Sequence, residues 1–173
     1  APDYETKTRY TATVTASDST NITTQNITIN LTDVNEAPVF TSDATFSAAE
    51  NQTAIGTVTA TDIDGDNIAY SVSGSDIIIN SSTGVIAFAS APDYETKTSY
   101  SATVTAGDGT NSTNQDITVN VTNINDNSPV FTSSATFSAA ENQTAIGTVT
   151  ATDADGDTVT FSVSGSELEM TSA

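Results

Sequence analysis

Two short stretches hold the residues best suited to chemistry. Asp62, Asp64 and Asp66 take alternate positions in TDIDGDN, and Asp153, Asp155 and Asp157 do the same in TDADGDT. Neither stretch contains a lysine or arginine. Like charges so placed repel, and a hard cation relieves the repulsion. Calcium takes about six to eight oxygen ligands, preferably carboxylates and carbonyls. Alternate aspartates such as Asp62 and Asp64 can converge on one ion, with Gly65 allowing the sharp turn. The same residues also make a fair turn without any metal.

The composition favours a cationic partner. The chain has 173 residues, with 22 acidic and 3 basic side chains, Lys7, Arg9 and Lys97, so its formal net charge is −19. That charge repels nucleic acid and acidic membrane surfaces. A uniformly acidic, solvated surface would scatter the acids, whereas here they cluster. Cysteine, histidine and tryptophan are absent, which excludes disulfide frameworks and Cys/His zinc sites. No apolar run approaches the roughly 18 residues of a membrane-spanning helix.

Internal repetition organises these motifs. APDYETKT occurs at Ala1 and again at Ala91, and Val39–Ser75 matches Val130–Ser166 at 31 of 37 positions. The offsets are 90 and 91, the extra residue falling where NEAP becomes NDNSP. Within each period the segments alternate. Tyr100, Ala102, Val104 and Ala106 interleave with Ser and Thr, as do Ile117, Val119 and Val121. Period two puts one face in a core and the other in water. Short strands broken by Gly, Asn, Asp and Ser predict an all-β fold of tandem Greek-key β-sandwiches, each about 90 residues long. The units are residues 1–35 (the end of one repeat), 36–125 (a complete repeat) and 126–173 (the start of a third). Strands are expected around Tyr10–Ala16 and Ile27–Leu31 in the first unit. In the third they are expected around Phe137, Ile146–Ala151 and Val159–Val163. Neither flanking unit is long enough to bury a core alone.

In order and at sensible spacing, AAEN at 48–51, TDIDGD at 61–66, DYE at 93–95, AGDG at 106–109 and the linkers DVNEAPVF and NINDNSPVF resemble cadherin repeats. The resemblance spans the whole chain. It implies calcium ions at the junction between consecutive repeats. Carried over residue by residue, it gives the first junction Asp3, Glu5, Asp33, Asn35, Glu36, Asp62, Asp64 and Asp108. It gives the second Glu50, Asp93, Glu95, Asn125, Asp126, Asp153 and Asp155. Asn123 stands where the family usually has aspartate and Glu36 replaces the usual linker aspartate, so at least one ion at each junction is expected to be weaker or absent. Asp66 and Asp157 lie just past the family's pair as additional candidates.

Catalysis is not expected, since the chain has no histidine, cysteine or Gly-rich phosphate loop. The resemblance implies an extracellular, calcium-stiffened rod or filament serving adhesion. The absence of cysteine and the Thr/Ser/Asn-rich make-up lean towards a microbial surface protein. Homotypic or head-to-tail contacts are expected, because the flanking units are complementary halves. The alternative function is a carbohydrate-binding module of a larger secreted protein, which would need an exposed aromatic platform.

Overall fold

The computed structural model describes residues 1–171, so Ser172 and Ala173, the end of the expected third unit, lie outside the described residues. The described residues contain no helix and form thirteen strands. In chain order these are β1 (Arg9–Ser17), β2 (Ile22–Asn30), β3 (Val39–Phe40), β4 (Thr45–Ala49), β5 (Ala54–Thr57), β6 (Ala60–Thr61) and β7 (Ala69–Val72). They continue as β8 (Ile77–Ile79), β9 (Val85–Phe88), β10 (Ser99–Gly107), β11 (Ser112–Thr122), β12 (Val130–Phe131) and β13 (Ala151–Thr152).

The middle of the chain is a sandwich. One sheet has the order β4-β11-β10-β7, the other β5-β9-β8, with the short pair β3-β6 beside them. Alternation sets the buried face. Ile117, Val119 and Val121 of β11 are buried while Thr118, Asn120 and Thr122 between them are exposed. Val104 and Ala106 of β10 join them, and Val58, Ile77, Ile86 and Phe88 close the core from the facing side. Phe88 meets Tyr100 edge to face, with ring centres 5.0 Å apart. Burying such a ring stabilises by about 1.5–3 kcal/mol. β10 and β11 form a long antiparallel hairpin, whereas β4 joins β11 in parallel, Thr45 against Thr118 through Ala49 against Thr122.

The flanks repeat parts of this scheme. β1 and β2 pair from Arg9↔Asn30 to Ser17↔Ile22, the register of β10 and β11 shifted by one repeat. The expected strands around Tyr10–Ala16 and Ile27–Leu31 fall in this hairpin, which starts its second strand earlier and stops one residue sooner. In the third unit β12 and β13 reproduce the β3-β6 pair. The further strands expected there do not form. Phe137 and Val159–Val163 lie in irregular backbone, and of Ile146–Ala151 only Ala151 is in a strand. The reason is pairing. The matching segments of the sandwich bond to β11, β9 and β10, and the described part of the third unit contains no counterpart of those strands. A lone strand leaves its backbone groups to water and gains no cross-strand contact.

Candidate metal junctions

Each linker leaves the end of one hairpin and runs past the Asp-rich turn of the next unit. At the second linker, Asn123–Asn127, carboxylate oxygens of Glu50, Glu95, Asp126 and Asp155 lie within 4.8 Å of one another. These four come from the end of β4, the DYE loop, the linker and the Asp-rich turn of the third unit. Glu50 is only 2% exposed. Its Oε2 accepts the Tyr94 amide at 2.8 Å and its Oε1 accepts the Ile124 amide at 2.7 Å. The side chain therefore ties strand, loop and linker together. Asp155 accepts from the Asp126 and Asn127 amides at 3.2 and 2.8 Å and from Asn127 Nδ2 at 3.1 Å. Asn123, the residue in place of aspartate, donates Nδ2 to the Asp155 carbonyl at 2.9 Å.

At the first linker, Glu5, Asp33 and Asp64 form the matching group. The Glu36 amide donates to Asp64 Oδ2 at 2.8 Å, and Asn35 Nδ2 donates to Asp108 Oδ2 at 2.9 Å. The loop after β10 is fixed by Asp108, which accepts the Thr110 and Asn111 amides at 2.6 and 2.7 Å.

The two Asp-rich turns are compact groups in their own right. Asp62, Asp64 and Asp66 converge, as do Asp153, Asp155 and Asp157. Gly65 and Gly156 both take φ of 82°, the left-handed region that suits glycine. Asp66 and Asp157 thus join the pairs beside them, and Asn125 Nδ2 bonds Asp157. Asp3 and Asp93 behave differently. Each spends its carboxylate on its own loop, accepting the amide and hydroxyl of Thr6 or of Thr96.

Electrostatics marks these groups as short of positive charge. Among the described residues the ion pair is Lys97 with Asp76 at 2.8 Å, away from both linkers. Glu5 accepts from its own amide, which lowers its pKa. Desolvation, the shared contacts with Asp3 and Asp33 and the charge of Glu36 outweigh this and push it up to about 7. Glu36 is raised by desolvation and by the charges of Asp64 and Asp33. Glu95 is raised by desolvation, Glu50 and Asp155. Desolvation works against Asp155, but bonds from Asn127 hold its carboxyl low. Asp62 Oδ2 and Asp64 Oδ1 are sealed from solvent with no hydrogen-bond donor. Buried carboxylate oxygens without donors are costly unless a cation meets them. The donor set is all oxygen and mostly anionic, which fits a hard cation such as calcium and not a thiolate or imidazole metal.

Residues 35–122, half of the chain, match the family described as bacterial Ig domain. The chain belongs to that family. Its sequence relatives are cadherins, and its repeats are cadherin-like. Drosophila melanogaster Protocadherin-like wing polarity protein stan is 38% identical over 152 residues, which is 76% of this chain and 4% of that protein. Mus musculus Cadherin EGF LAG seven-pass G-type receptor 1 is 34% identical over 170 residues, 88% of this chain and 6% of the relative. The chain thus spans a small fraction of these proteins. Among solved structures, extracellular cadherin domains 3-6 of Protocadherin Gamma B2 superpose with a TM-score of 0.67 at 28% identity, covering 88% of this chain and 44% of that one. Mouse Cadherin-23 EC22-24 gives a TM-score of 0.63 at 29% identity, with 88% and 56% covered.

Sequence reasoning passed over Asn51, Asn111 and Asn127, which steer the acids. Asn51 Nδ2 bonds Asp126, and Asn111 Nδ2 donates to the Asn35 carbonyl at 2.8 Å. Their signal was adjacency, since each sits inside or just beyond a motif already singled out for its carboxylates.

Proposed function

We propose that this chain is a segment of an extracellular rod of cadherin-like repeats, units 1–35, 36–125 and 126–173, whose junctions bind calcium and serve adhesion. The convergence of Glu50, Glu95, Asp126 and Asp155 from four separate segments carries this reading. A metal-free protein gains nothing from crowding four carboxylates between two units. With the ion bound, the same crowding couples them.

At the second junction Glu50, Glu95, Asp126, Asp153 and Asp155 would hold calcium, with Asn125 and Asp157 beside them. At the first, Glu5, Asp33, Asp62 and Asp64 would do so, supported by Asn35, Glu36, Asp66 and Asp108. Asp3 and Asp93 would brace the loops that present Glu5 and Glu95. Calcium supplies positive charge that offsets carboxylate repulsion and links residues of consecutive units. The chain's own contribution is geometric. Glu50 anchors the linker to the sandwich, and the Asp-rich turns fix the approach of the next unit.

Calorimetry with calcium at millimolar levels tests the reading, with small-angle scattering as a second readout. Uptake of the ion, a higher melting temperature by mass action and a well-defined maximum dimension that blurs on chelation are the expected results. Heat of dilution alone would remove the reading.

A further inference from the structure

Two strands far apart in the sequence run side by side in the complete repeat. β4 pairs in parallel with the last part of β11, Thr45 against Thr118 through Ala49 against Thr122. The chain enters β4 at Thr45, at one end of this pair, and leaves β11 at Thr122, at the other. Tension applied through the two linkers therefore draws β4 back along its own axis and β11 forward along its own. The pair is loaded in shear, and its bonds must yield together instead of one after another.

What stands before β4 offers little resistance. β3 pairs with β6 over two residues, Val39↔Thr61 and Phe40↔Ala60, and the Thr41 and Ser42 amides share the Thr59 carbonyl at 2.8 and 3.2 Å. β11 lies between β4 and β10 in the sheet. β10 holds it through nine pairs, Ser99↔Asn120 to Gly107↔Ser112, and β4 through five. The contact with β4 is thus the weaker side of β11 and the one through which the load must pass.

Both ends of that contact are reinforced. The Thr118 amide donates to the Ala44 carbonyl at 2.8 Å, and the Glu50 amide to the Thr122 carbonyl at 3.2 Å. Beyond the strands the Glu50 carboxylate continues the tie, Oε1 accepting the Ile124 amide at 2.7 Å and Oε2 the Tyr94 amide at 2.8 Å. Ile124 is already linker, the segment that a pull on the next unit reaches first. Sliding separates Glu50 from Ile124 at once. Glu50 is 2% exposed, so water does not compete for these charge-assisted bonds, which are stronger than neutral ones. Between the two ends Phe46 and Ala48 of β4 pack into the core.

We propose that β4 and β11 form a shear clamp, latched by the Glu50 carboxylate on the Ile124 amide, that bears tension along the repeat. That tension acts along this axis rests on the rod proposed above; the clamp itself belongs to residues 36–125 and needs no ion. Resistance to pulling is a rate, set by the barrier to unfolding, and is separate from equilibrium stability. For a clamp of this kind the direction of pull decides it.

The chain has no cysteine, so paired cysteines give single-molecule handles at chosen points of the full chain. One pair sits at the two chain ends. The other, Asp43→Cys with Asp116→Cys, uses exposed positions two residues before Thr45 and Thr118 and peels the same contact open from its first bond. Released lengths of about 3.3–3.6 Å per residue assign each event to residues 36–125 or 43–116. In chelator and at equal force, the repeat should last at least about tenfold longer when pulled from the ends than when peeled. Glu50→Gln, also in chelator so that no calcium ligation is at stake, should shorten the end-pulled lifetime about tenfold and the peeled lifetime under about threefold. Equal lifetimes in the two directions overturn the clamp, and an equal effect of Glu50→Gln on both overturns its latch. End-pulled lifetimes that are long only with calcium overturn the proposal too and leave the load on junction ions. A long end-pulled lifetime in chelator, from a chain that takes up no calcium by calorimetry, upholds the clamp and removes the junction reading alone.

Discussion

The hairpins β1-β2 and β10-β11 share a register and most of their residues, yet one builds a core and the other lies on the surface. Val14 is 50% exposed and its counterpart Val104 is at 0%. Both hairpins carry the same side-chain ties, Thr13 Oγ1 to Asn26 at 2.8 Å and Thr103 Oγ1 to Asp116 at 2.6 Å. What differs is company. β10 has β7 on its free edge and β11 has β4, and the sheet β5-β9-β8 lies across them. Local pairing follows from the hairpin's own sequence, while burial comes only with strands distant in the chain.

Truncating the same residue in both places should break the likeness most sharply. Ile117→Ala should cost about 3–4 kcal/mol in urea unfolding, as expected for a large-to-small change in a core, and Ile27→Ala under about 1 kcal/mol. Equal costs would mean that the first hairpin is covered as fully as the second.

Next in size is Glu50→Gln, for which no counterpart precedes the first hairpin in this sequence. It removes the buried charge that receives Tyr94 and Ile124, so a loss of about 2 kcal/mol and weaker calcium uptake at the second junction are expected. Uptake at the first junction should be unaffected, which calorimetry on the variant can resolve.

A third effect separates the two junctions by pH. Glu5 is raised from 4.5 to about 7. In the ion-free protein its contribution to order at the first junction is full below the unfolded value and is lost as pH rises through about 7. Calcium must displace that proton, so affinity at the first junction should climb from about pH 5 to about pH 8. Glu95 is also raised but Asp155 is lowered, so the second junction should respond less. Calorimetric titrations at several pH values, using Glu5→Gln to silence the first site, would show it.

The smallest contrast lies in the threonine ties. Thr103→Val should cost about 0.5–1 kcal/mol, the usual worth of one such bond, and Thr13→Val should stay within about 0.5 kcal/mol. Chemical denaturation of the pair decides it.

The sandwich was legible because its strands alternate strictly and its turns carry Gly, Asn and Asp at the right places. Alternation in Ile117, Val119 and Val121 named the buried face correctly. It misled in the third unit, where Phe137 and Val159–Val163 carry the same pattern but lie outside any strand. Pattern specifies which face a strand would bury, and pairing decides whether the strand exists. At the junctions, charge and spacing singled out the alternate aspartates of the two Asp-rich turns, while Glu5 and Asp33, and likewise Glu50, Glu95 and Asp126, came into view through the resemblance to cadherin repeats. Asp3 and Asp93 came from the same resemblance, and the short-range bonds that they accept from Thr6 and Thr96 are a local detail that the motif does not announce. The neutral partners Asn51, Asn111 and Asn127 carry no charge to betray them.

The parallel pairing of β4 with β11 also sets a timetable. Thr45 meets Thr118, 118 − 45 = 73 positions later, whereas Ser112 meets Gly107 almost at once. As a ribosome or an export channel delivers the chain from its first residue, β4 must wait unpaired until nearly the whole repeat has emerged. Contacts so far apart fold slowly, and a waiting edge can meet the matching strand of a neighbouring repeat instead. Repeats identical at 31 of 37 positions make that exchange easy, so the order in which strands appear protects each repeat only if its last hairpin arrives before the next repeat's first strand does.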